Sequence, residues 1–171
     1  MDARCSEIAV VRGADSATVQ ALFRDAVVHW RASGLKVVGL IEETHGLPGR
    51  VCSAGVLRDI ISGTRFPIYL DTPPLGTSCH IDGAGASRAS ISMIEQVPAS
   101  DIVVLSKFGK LEAGGSGLIG AFEAAKSTGK CLLTTVSDKH KEAWEAFAPG
   151  AAVLQATVSA IEAWLDGARR S

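Results

Sequence analysis

The feature that most constrains this chain is an alternation. Short runs of β-branched and aliphatic residues are separated by stretches with helical periodicity. Ile8-Ala9-Val10-Val11 is one such run; Val37-Val38-Gly39-Leu40-Ile41, Ile102-Val103-Val104-Leu105 and residues 131–136 are others. They are apolar at nearly every position rather than at every second one, which predicts strands covered on both faces, as in a parallel sheet. Between the first two, Leu22, Phe23, Ala26, Val27 and Trp30 recur at spacings of three and four, one face of a helix. Asp15-Ser16 supplies its N-cap and Gly34 its end. Further helices are expected to stop at Pro98 and to cover residues 118–126, 139–148 and 158–165, with a last short strand at 152–154. Strands separated by helices of about 10–15 residues form right-handed βαβ units.

The middle of the chain breaks the pattern. Residues 50–60 and 65–70 flank Ile61-Ser62-Gly63-Thr64, which predicts an inserted β-hairpin. Asp71-Thr72-Pro73-Pro74-Leu75-Gly76-Thr77-Ser78 predicts an irregular loop, because consecutive prolines forbid a ladder. The fold expected is three-layer α/β, a mainly parallel Rossmann-like sheet with an inserted β-hairpin. At 171 residues it is expected to be a single domain over 1–171.

Charge excludes some roles. Lys and Arg number 17 against 18 Asp and Glu, a net charge of -1, so the basic excess of a dedicated nucleic-acid binder is missing. No apolar run approaches the ~20 residues of a membrane-spanning helix. The first residues, Met1-Asp2-Ala3-Arg4-Cys5-Ser6-Glu7, carry no export signal, and Cys5, Cys52, Cys79 and Cys131 are widely scattered. The expectation is a cytoplasmic protein with reduced thiols, without a membrane or nucleic-acid partner.

In open α/β sheets ligands bind at the carboxyl ends of the strands, so the loops there are the candidates. Arg12-Gly13-Ala14-Asp15-Ser16 is too short for a Walker A loop and lacks its lysine, and Asp15 would repel phosphate; it reads as a structural turn. Gly83-Ala84-Gly85-Ala86-Ser87-Arg88 begins like a dinucleotide fingerprint but has Arg88 in place of the third glycine, and reads as a helix start. The richest stretch runs from Ser106 to Gly117. Lys107, Gly109, Lys110, Glu112, Gly114, Gly115 and Ser116 precede a helix, which makes either an anion cradle or a solvated Lys-Gly loop. Gly76, Thr77, Ser78, Cys79 and His80 form a second candidate, with hydroxyls for an oxyanion. Thiol and imidazole there, with His45 and Cys52, lack the spacing of a zinc site. His29 and His140 read as a structural and a solvated residue, and Arg58-Asp59 as a local surface pair.

Ser106-Lys107-Phe108-Gly109-Lys110-Leu111-Glu112 resembles the Asp-Glu-x-Gly-Lys-x-Glu signature of thermophilic-phosphatase (THEP) type P-loop nucleoside-triphosphatases. With Val56-Leu57-Arg58-Asp59, Gly76 to Asp82 and Ala143-Trp144-Glu145-Ala146-Phe147, the chain is more similar still to an uncharacterised bacterial family often encoded beside molybdate transport genes. The resemblance implies a P-loop-NTPase-like scaffold. Where the nucleoside-triphosphatases carry Asp-Glu, however, this chain has Ser106-Lys107. The carboxylates that would organise Mg²⁺ and the attacking water are missing, and a cation stands in place of one.

The reading that follows is a non-catalytic anion-binding protein, for a nucleotide or an oxyanion such as molybdate. Its molybdenum link rests on the resemblance alone. Two alternatives stay open: an altered nucleotide-hydrolysing enzyme with Glu112 as acid/base, and a partner-binding scaffold for a metalloenzyme. The cofactor is left open, as is a homo-oligomer or protein partner.

Overall fold

The computed structural model describes residues 7–44, 55–68 and 83–170. Their elements are β1 (Ile8–Arg12), α1 (Ser16–Ala32), β2 (Val37–Glu43), β3 (Val56–Asp59), β4 (Arg65–Pro67) and α2 (Gly83–Gln96). A 3₁₀ turn over Val97–Ala99 leads into β5 (Ile102–Leu105), followed by the single-turn α3 (Lys110–Ala113) and α4 (Ile119–Ser127). β6 (Cys131–Thr135), α5 (Lys141–Phe147), β7 (Ala152–Gln155) and α6 (Val158–Arg170) complete the described chain.

The seven strands form one sheet in the order β4-β3-β2-β5-β6-β1-β7. Five of them are mutually parallel, and β3 and β4 add antiparallel to the edge at β2. The expected mainly parallel α/β sheet with an inserted hairpin is therefore present. The hairpin is shorter than the residues expected of it, and residues 50–54, 69 and 70 of that expectation lie outside the described residues.

The central strands divide their side chains between two cores, as a period of two requires. Val10, Val38, Leu40, Val103, Leu105 and Leu132 face α2, α4 and α5, packing with Met93, Phe122 and Trp144. Ala9, Val11, Val37, Ile41, Val104 and Leu133 face α1 and α6, packing with Phe23, Trp30, Ile161 and Trp164. Gly39 lets β2 lie against β5, since a Cβ there would sit 2.2 Å from the Val104 carbonyl oxygen.

The Arg58-Asp59 expectation is corrected. Arg58 pairs with Glu43 at 3.1 Å, and Arg65 reaches the same carboxylate at 3.6 Å. Asp59 is completely buried instead. Its Oδ1 accepts from the Ile61 and Ser62 amides at 2.8 and 3.2 Å, and its Oδ2 from Gln96 Nε2 at 2.6 Å. One carboxyl thus shapes the hairpin turn and ties it to α2. Asp59→Ala strands those donors, and in urea denaturation it should cost about 3 kcal/mol of stability.

Candidate functional site

Strand order brings the ends of β2, β5 and β6 to one rim, and a cavity of about 300 Å³ opens there. Glu42 enters it from β2, Ser106 and Lys107 from beyond β5, and Ser137, Lys139 and His140 from beyond β6. Gly109, Lys110, Leu111 and Glu112 form the adjoining wall. Leu57, Ile68, Ala86 and Leu118 line it with apolar surface.

The segment after β5 is not a loose loop. Its Phe108 amide donates to the Thr135 carbonyl at 2.9 Å, and Phe108 forms an isolated parallel bridge with Val136. The Phe108 ring is 2% exposed and meets Phe122, Trp144 and Phe147 at centroid distances of 5.3–5.6 Å. Pairs of this kind add about 0.5–1.5 kcal/mol each beyond area burial. This packing excludes the solvated-loop alternative for Phe108 and its immediate neighbours.

Glu112 closes the loop on itself. Oε2 accepts from the Gly109 amide and Oε1 from the Leu118 amide, each at 2.9 Å, and the side chain is buried. Position three of a helical turn is where a glutamate reaches back to its own cap. The amide that would meet an anion at the start of α4 is thereby occupied by the chain's own carboxylate. Gly117, at φ +64°, makes room, because a Cβ there would lie 2.5 Å from Glu112 Oε1 and 2.7 Å from Leu111 Cβ.

Of the residues singled out in the sequence, Lys107, Gly109, Lys110 and Glu112 come together on the cavity. Gly114, Gly115 and Ser116 are exposed and do not line it; the Ser116 hydroxyl donates to the Leu111 carbonyl at 3.1 Å. Gly76, Thr77, Ser78, Cys79 and His80 lie outside the described residues, as do His45 and Cys52. Among the described residues, no group of three His, Cys, Asp or Glu is placed to hold a metal ion.

The turn after β1 is a structural connection, as expected. It spans Gly13, Ala14 and Asp15, and Asp15 caps α1 by accepting from the Thr18 amide at 2.8 Å. That hydrogen bond, with another from the Thr18 hydroxyl, holds the Asp15 carboxyl below its ordinary range. Asp138, beyond β6, pairs with Arg12 at the end of β1.

Lys139 and His140 sit at a solvated helix start, as expected, in a 3₁₀ turn over Asp138–His140 ahead of α5, with Lys139 exposed and His140 half-buried; both also line the cavity. His29 is exposed rather than structural, in a cleft between α1 and α6. Not singled out in the sequence are Glu42 and Ser137, which line the cavity, and Gln20, which bridges β2 and the end of β5. Only 3% exposed on α1, Gln20 donates from Nε2 to the Ser106 carbonyl at 2.8 Å and accepts the Glu42 amide at 2.9 Å. Its carboxamide bridges the two strands just beyond the last β2–β5 pair, Leu40 with Leu105. A polar residue inside an apolar helical stripe, three before Phe23 and seven before Val27, was the available signal.

Burial pushes the Glu42 carboxyl above the ordinary glutamate range; Lys107 opposes the shift and Glu112 adds to it. The folded chain therefore holds this proton more tightly than the unfolded chain, and ionising Glu42 costs stability as pH rises. In thermal unfolding, Glu42→Gln should match the parent at about pH 4, where the unfolded carboxyl is still largely protonated, and exceed it increasingly as pH rises above the ordinary glutamate range. Gly117→Ala should lose about 2 kcal/mol in urea denaturation, from strain at positive φ and the collision with Glu112.

Comparison with known proteins agrees with this architecture. The chain is 32% identical over 133 residues to the molybdenum import ATP-binding protein ModC 2 of Bradyrhizobium diazoefficiens, a match covering 74% of this chain. It spans only 14% of that relative's length. No solved structure matches significantly. The sheet order is that of a mainly parallel, Rossmann-like α/β fold. Residues 8–164 match the family model for a protein of unknown function, DUF2478, and to that family the chain belongs.

Proposed function

We propose that this chain is a non-catalytic anion-binding protein whose ligand is a nucleotide or an oxyanion such as molybdate. The observation that carries the reading is the convergence of Lys107, Lys110, Lys139 and His140 on one cavity at the carboxyl ends of parallel strands. Cations gathered at such a rim attract an anion without a bound metal. Gly76, Thr77, Ser78, Cys79 and His80 belong to the same proposal as a second anion-facing segment, and the site of action is the cytoplasm.

Two features weigh against triphosphate hydrolysis. The β1–α1 turn has three residues, and its helix start is taken by the Asp15 carboxylate. Glu112, the acid/base of the alternative enzymatic reading, has both oxygens engaged by main-chain amides. The similarity to a molybdenum import protein supports including molybdate and tungstate among the trial ligands. Because that relative is far longer than the matched segment, a protein partner remains the third reading.

Thermal unfolding with ATP, GTP, molybdate, tungstate, sulfate and phosphate, each with and without Mg²⁺, tests the proposal. A ligand at about a hundred times its Kd stabilises by ~2.7 kcal/mol. A shift independent of Mg²⁺ is expected. Lys107→Ala and Lys110→Ala should each weaken binding about tenfold, equal to ~1.4 kcal/mol. Unchanged affinity in the double variant removes this site. Mg²⁺-dependent nucleotide turnover by the parent chain would establish the enzymatic reading instead.

A further inference from the structure

The sheet is finished differently at its two edges. On one side β4 is three residues long and carries Arg65 and Pro67, a charge and a residue without a main-chain donor. Both discourage another strand from pairing there. On the other side β7 reads Ala152-Val153-Leu154-Gln155 and has neither device. Among the described residues β7 pairs with β1 alone. Alternate residues along its outer side therefore present main-chain N–H and C=O groups that a further strand can pair with.

Register fixes which side chains this edge offers. Val153 is the partner of Val10, so it lies on the face of the sheet that carries Trp144 and α5. Ala152 and Leu154 pack into the opposite core. Because α5 ends at Phe147, it leaves Val153 68% exposed.

Charge is missing from this edge. From Ala146 to Ile161 there is no Asp, Glu, Lys or Arg, the longest such stretch in a chain that is 20% charged. The charged groups beside Val153 are already matched within the chain, Arg12 with Asp138, and Lys141 with Glu145 at 3.6 Å. A two-fold interface sets a surface against itself, so a charged edge repels its own copy and a neutral edge does not. Neutrality therefore selects a second copy of this chain over an oppositely charged partner.

We infer that β7 is a homodimer edge, at which two copies pair antiparallel and join their seven-stranded sheets into one. The two-fold axis passes through Val153, perpendicular to the sheet. Such an axis keeps each face on its own side, so Val153 meets the partner's Val153, and Ala152 lies opposite the partner's Leu154. Strand addition supplies main-chain hydrogen bonds, and the valine pair buries the apolar surface that α5 leaves open. In the strand order β7 lies two strands beyond β6, away from the cavity beside β2, β5 and β6, so the inference is independent of the anion-binding reading.

Sedimentation velocity of the whole chain at about 1 to 200 μM, a range that spans weak to moderate pairing, tests this. The sedimentation coefficient should rise with concentration from a monomer to a dimer value. Val153→Lys, which sets two cations against each other across the axis, should weaken the dimer about tenfold or more. Ile91→Lys, at a similarly exposed position on α2, should leave it unchanged. Val153→Cys should form an intermolecular disulfide on mild oxidation, in excess of the parent, because directly opposed Cβ atoms lie about 4.5–5.5 Å apart. This small substitution also covers the case in which Val153→Lys does not fold. A monomer at every concentration, a dimer equally tight in Val153→Lys, a dimer broken by Ile91→Lys instead, or no added disulfide in Val153→Cys overturns the inference.

Discussion

Both oxygens of Glu112 are held by main-chain amides, and the shape of the site follows from that one carboxylate. The amides of Gly109 and Leu118 lie on either side of a tight turn, and bonding both to one side chain closes the turn without solvent. Buried amides left without partners would be costly, so the clasp and the turn are a single unit. Phe108 pins the same segment from the other side through its aromatic cluster. Lys107 thereby projects from a backbone segment that this packing fixes.

A second constraint works across the sheet. Just beyond the last β2–β5 pair, Gln20 satisfies the Glu42 amide and the Ser106 carbonyl with its own carboxamide. These main-chain groups at the rim of the cavity are thus left with partners.

Electrostatically the site is mixed. Lys107 lies near Glu42 and Glu112, and burial raises the Glu42 carboxyl further. At the rim after β1, the Asp15 carboxylate caps α1.

Much of the architecture was legible in the sequence, because burying a parallel strand on both faces demands continuous apolar runs such as Ile102 to Leu105. The helices between them follow from stripes such as Phe23, Val27 and Trp30, and Lys107 and Lys110 stood out as cations among glycines. What the sequence could not determine is which loops become neighbours. Strand order is decided by long-range pairing, and that pairing brings Lys139 and His140 to the same rim as Glu42. Burial of Asp59 and the bridging of β2 to β5 by Gln20 likewise depend on partners more than thirty residues away in the chain, Gln96 for the first and Ser106 for the second. Periodicity reports which face of an element is apolar, a local property; the environment of a polar side chain is set by tertiary packing, and only the folded structure decides it.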